Sequence, residues 1–92
     1  MIATAEVQVI PIGSGVSVRR EVQRAHGILE DSGLSAELHG NGTNLEGELE
    51  DIFDAIRRVH ETLHAEGTVR IASFIKIGTR TDKQPSLSGK LF

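Results

Sequence analysis

Three short patterns in this 92-residue chain carry residue types that could do chemistry. His60-Glu61-Thr62-Leu63-His64 has the H-E-x-x-H spacing, which on a helix puts two imidazoles one turn apart on a shared face, where they can hold zinc. A catalytic zinc site also needs a third ligand and a cleft. Histidines at a helix C-terminus are explained by the helix dipole alone, so the pair is read as a helix end and no metal ligand is assigned. Gly13-Ser14-Gly15 joins a strand to a helix start, where backbone N–H groups can meet an anion or another polar ligand group. It lacks the length and lysine of a P-loop, and the third glycine of a dinucleotide fingerprint. Paired carboxylates for acid–base work would have to be Glu6 and Glu46, which solvation or pairing with Lys76 explains more simply. Ser14, Ser17, Ser73 and Thr43 have no histidine with an evident orienting partner, so no nucleophile–base pair stands out. The expectation is a protein that is not an enzyme.

The elements that position these residues follow from periodicity. Ile2 to Ile12 alternates, with Ala5, Val7 and Val9 on one side and Thr4, Glu6, Gln8 and Ile10 on the other, which predicts a strand ended by Pro11 and the glycine cluster. Ser17 is placed as an N-cap. Val18, Val22, Ala25, Ile28 and Leu29 then recur at helical spacing, and Gly33 supplies the stop. Residues 35–47 read as a hairpin, Ser35 to His39 and Thr43 to Gly47, around the turn Gly40-Asn41-Gly42. That turn reading also accounts for Asn41-Gly42-Thr43, which fits a glycosylation sequon. A second helix runs from about Glu48 to Glu66 with the stripe Leu49, Ile52, Phe53, Ile56, Val59 and Leu63, acidic at its start and basic at its end. Val69 to Ile77 is a covered strand. Residues 79–92 form a polar tail with a short helical turn near Ser86.

The order β-α-β-β-α-β in a single domain, residues 1–92, predicts a ferredoxin-like α+β fold, a four-stranded antiparallel sheet with both helices on one face. The other face is left uncovered. It carries Glu6, Gln8 and Ile10, then Glu37 and His39, then Asn44 and Glu46, then Arg70, Ala72, Phe74 and Lys76. Such a face is solvated surface, an oligomer contact or a ligand platform. Its mixture of Phe74 and Ile10 with carboxylates and amides suits a pocket at the edge of an oligomer contact.

Composition excludes several classes. A formal charge of −3 and only three aromatic residues, all Phe, argue against nucleic acid, which needs clustered bases and stacking platforms. No cysteine is present for a disulfide or a thiolate site. The start has neither the basic nor the long apolar region of a signal peptide, and no run approaches the ~20 apolar residues of a membrane span. The expected setting is cytoplasmic. A chain this short buries only roughly 60–65% of its unfolded surface, so oligomerisation is a reasonable source of added stability.

Four segments, in order, carry a resemblance to a known family. They are Ala5 to Gly15, Leu29 to Leu34, Gly42-Thr43 with Leu45 to Glu48, and Ile75 to Ile77 with Arg80, Asp82 and Lys83. Together they resemble the small thiamine-binding proteins, ferredoxin-like and often tetrameric, over about residues 2 to 83. The resemblance implies binding of thiamine or its hydroxymethylpyrimidine portion, with no cofactor, in a pocket associated with the sheet and subunit contacts of a dimer or tetramer. Glu6, Gln8, Asn41, Thr43, Glu46 and Ser73 offer the carboxylate, amide and hydroxyl groups that a cationic thiazolium and an aminopyrimidine need. Gly13, Ser14 and Lys76 add polar contacts, and Phe74 or Phe53 an aromatic face for the cation. The chain departs from the family pattern at Asn41, where an apolar residue is frequent, at Gly78-Thr79, which replaces a commonly acidic pair, and at Phe74, where a small hydroxyl residue is common. The rival expectation is an oligomeric regulatory or interaction module with a different small ligand.

Overall fold

A computed structural model describes residues 1–16 and 18–90. The element order is β1 (Ile2–Ile12), α1 (Arg19–Glu30), β2 (Ser35–His39), β3 (Gly42–Glu48), α2 (Leu49–Ala65) and β4 (Arg70–Gly78), followed by one 3₁₀ turn at Ser88–Lys90. The strands form one sheet in the order β2-β3-β1-β4. Every neighbouring pair is antiparallel. This is the ferredoxin-like βαββαβ fold.

Strand alternation does the main work. Ala3, Ala5 and Val7 of β1 and Leu45 of β3 point at the helices and join Ala25, Ile28 and Leu29 of α1 with Ile52, Ala55, Ile56, Val59 and Leu63 of α2 in one buried cluster. Phe53 departs from the predicted stripe: it is half exposed, because it follows Ile52 and each residue turns about 100° around the helix. Ala55 takes the inward place instead. The Ser17 cap falls outside the described residues, and Val18 precedes α1 without a side-chain cap bond.

The helix ends are stopped by backbone chemistry. After α2, Gly67 adopts φ +106° and its N–H donates to the His64 carbonyl at 3.1 Å, while the Thr68 N–H donates to Leu63 at 2.9 Å. At the other end the Leu49 N–H donates to the Met1 carbonyl at 2.9 Å, and the Met1 ammonium sits 2.9 Å from Glu48 Oε2. Gly42 is required by proximity, since a Cβ there would stand 2.7 Å from the Val7 carbonyl oxygen.

The sheet face away from the helices differs from expectation in one respect. Thr4 lies on it yet is only 2% exposed. The chain beyond Gly78 folds back as a strap, with Pro85 buried and the Leu87 N–H donating to Glu46 Oε1 at 2.6 Å. The polar tail is thus a wall on one end of the face, and the rest stays open.

Candidate functional site

The register lays the open face out as a grid. One row crosses all four strands, Lys76 beside Glu6, Glu6 beside Asn44 and Asn44 beside Glu37. The row under the strap is Gly78, Thr4, Glu46 and Ser35, and the row on the other side begins Phe74 and Gln8. A cavity of about 450 Å³ lies between this floor and the strap. Glu6, Glu37, Asn44 and Lys76 line it from the sheet, and Leu87 and Lys90 from the strap. Its size falls within the roughly 300–1,000 Å³ usual for small-molecule sites.

The electrostatics are mixed. Glu6 Oε2 is 3.1 Å from His39 Nε2, close enough for an ion pair when the ring is protonated but not aligned as a hydrogen bond. His39 Nδ1 accepts from the Asn41 N–H at 3.2 Å, so in the neutral ring the proton sits on Nε2, toward Glu6. Among the described residues, Glu37, Lys76 and Lys90 have no ion-pair partner. Beyond the cavity, Arg80 donates to Asp82 Oδ1 at 2.6 Å and holds that carboxyl down to about 2.

Of the residues expected to bind ligand, Glu6 and Lys76 meet in the cavity, and Glu46 stands at its edge holding the strap. Gln8 and Phe74 are register partners one row further out, with Phe74 66% exposed. Gly13 and Ser14 form an exposed turn before α1. Asn41 and Thr43 belong to a second cavity of about 300 Å³ between α1 and the hairpin, bounded by Val9, Val22 and Leu38.

Thr43 and Ser73 face the helices, not the open sheet, because each is one residue out of phase with its neighbours there. Both hydroxyls are taken by histidines: Thr43 Oγ1 lies 3.3 Å from His26 Nδ1, and Ser73 Oγ lies 2.7 Å from His60 Nε2. Glu30 Oε2 approaches the other nitrogen of His26 at 3.1 Å. His64 Nδ1 donates to the Thr68 carbonyl at 2.7 Å, and its ring centroid is 6.3 Å from that of His60. Each imidazole of the H-E-x-x-H pattern is thereby committed to a structural contact. Among the described residues, no three or more His, Asp or Glu side chains are grouped to hold a metal ion.

Thr4, Glu37, Asn44, Leu87 and Lys90 complete the cavity beyond the expected set. Alternation alone places the first three on the open face. Nothing periodic marks Leu87 and Lys90.

A ferredoxin-like domain with a ligand-sized, charged cavity on its sheet is the class these features define. The chain belongs to the thiamine-binding protein family, whose profile matches residues 5–92. It is 40% identical over 83 residues to a protein of Synechocystis, covering 90% of this chain and 69% of that one. It is 36% identical over 94 residues to a Bacillus subtilis protein, covering 97% and 90%. The crystal structure of a Methanocaldococcus jannaschii protein superposes with a TM-score of 0.91 at 36% identity, over 98% of this chain and 92% of that one. A Thermotoga maritima structure, put forward as a thiamine biosynthesis or salvage protein, shares the fold with a TM-score of 0.87 at 20% identity, covering 99% and 96%. The family's description names binding and no reaction. No described helix is long and apolar enough to cross a membrane.

Proposed function

We infer that the protein binds thiamine or its hydroxymethylpyrimidine portion, without catalysis, in the cavity between the open sheet face and the C-terminal strap. The row Lys76–Glu6–Asn44–Glu37 carries this reading. A thiazolium cation is matched by the carboxylates of Glu6 and Glu37, and an aminopyrimidine edge, both donor and acceptor, by the amide of Asn44. Gln8 and Phe74 extend the floor, Phe74 offering an aromatic face to the cation. Gly13, Ser14 and Asn41 lie at the same end of the sheet as the Phe74 row and join the site only through the ligand's outer end or a second subunit. Thr43 and Ser73 serve the helix-facing side.

The protein works as a cytoplasmic homo-oligomer, dimer or tetramer, in this reading. Exposed Phe74 and Ile75 on edge strand β4 support a contact with a second copy. A regulatory module with another ligand is the alternative that this same contact allows. Isothermal titration with thiamine and with hydroxymethylpyrimidine tests the lead. Saturable heat that Glu6→Gln weakens about tenfold supports it, and no heat at millimolar ligand removes it. Sedimentation at micromolar concentration tests the oligomer.

A further inference from the structure

We propose that the cavity is built for a ligand bearing an anionic group as well as a cationic ring, a phosphate monoester of the thiamine type, and that the strap supplies Lys90 as half of the anion site. This rests on the cavity being the thiamine-type site inferred above.

The argument starts from what the strap brings. It is anchored by the bond from the Leu87 N–H to Glu46 Oε1, across 41 residues of sequence. Three residues beyond that anchor, Lys90 reaches back over the sheet. A Cβ at Gly78 would stand 3.7 Å from the Lys90 Nζ, an ordinary contact distance that places this ammonium over the Gly78 end of β4. Gly78 and Lys76 are two residues apart on β4 and share the open face. Lys76 and Lys90 therefore both line the β4 end of one cavity.

Neither lysine has an ion-pair partner among the described residues. The nearby carboxylates are aimed away from them while keeping their charge: Glu46 accepts from the strap backbone, and Glu6 reaches toward His39 on β2. Two ammonium groups without ion pairs at one end of a concave site can receive an anion, and a phosphate monoester offers enough oxygens for both. Glu37 lies at the opposite end of the row from Lys76, and Glu6, which stands between them, turns its carboxylate toward His39 on β2, away from β4. A thiamine-type ligand has the same layout once its hydroxyethyl arm is phosphorylated, cationic ring first and anion beyond. Both ammonium groups are exposed, so the gain is modest and screened by salt.

Titration calorimetry with thiamine and thiamine monophosphate, at about 20 mM and 300 mM salt, tests this on the full chain. The expected result is about three- to tenfold tighter binding of the monophosphate at low salt, shrinking at high salt. The ratio of the two affinities falls toward one in both Lys76→Met and Lys90→Met. Thiamine binding with no preference for the monophosphate overturns the anion site and leaves the thiamine reading standing. A preference that persists in Lys90→Met overturns the role of the strap. Binding of neither compound overturns both readings.

Discussion

The two faces of one four-stranded sheet do opposite jobs with alternate residues of the same strands. On the helix side, Ala3, Ala5, Val7 and Leu45 pack against α1 and α2, and the two hydroxyls that fall there, Thr43 and Ser73, are each met by a helix histidine. Polar groups on that side have local partners within the fold. On the strap side, Glu37, Lys76 and Lys90 keep charges that no described group neutralises. A face whose polar groups are satisfied contributes to stability, whereas a concave face with charges left over is available to a ligand. On the helix side one nitrogen of each imidazole in the His60–His64 pattern is used, on Ser73 and on the Thr68 carbonyl.

Substitutions should therefore separate cleanly by face. Leu45→Ala, at a fully buried position, is expected to cost about 2–5 kcal/mol in urea unfolding, enough to unfold so small a domain in part. Next is Gly42→Ala, whose Cβ would press on the Val7 carbonyl; about 1–3 kcal/mol is expected, with β1–β3 amides exchanging faster. Ser73→Ala removes the hydroxyl paired with His60 and should cost about 0.5–1.5 kcal/mol while leaving thiamine titrations unmoved. An equal loss of ligand affinity in that variant would break the division between the faces.

On the strap side, Glu46→Ala should barely change global unfolding, yet lower hydrogen-exchange protection of the Leu87 amide by about tenfold. A Leu87 amide already exchanging at the rate of an unstructured chain in the unaltered protein would refute the strap. The smallest effect concerns Asp82. Its carboxyl, held to about 2 by Arg80, contributes stability that is present above the ordinary value of 3.8 and is lost as pH falls through about 2. Between these values Asp82→Asn should flatten the acid limb of a pH–stability curve only slightly, because the pair is exposed.

Much of this division is legible in the sequence. The alternation of Thr4, Glu6 and Gln8 against Ala3, Ala5 and Val7 names both faces of β1, since side chains in a strand point to opposite sides in turn. The turn at Gly40-Asn41-Gly42 fixes the hairpin and thereby puts Asn44 and Glu46 on the open side. Phe53 falls outside the buried stripe, and periodicity alone does not exclude it because mixed three- and four-residue spacings tolerate a shift of one position. Thr43 and Ser73 suit a ligand by residue type, but their phase in the strand, which the same alternation reveals, turns them to the helices.

The βαββαβ order, the antiparallel sheet and the row of polar residues that makes one face a candidate site are legible in the sequence, because they depend on local periodicity and turn chemistry. What stands above that row follows from long-range folding alone. The contact between Leu87 and Glu46 spans 41 residues and carries no periodic signal, so the strap, the cavity beneath it and the arrival of Lys90 beside Lys76 emerge only when the chain has folded back on its own sheet.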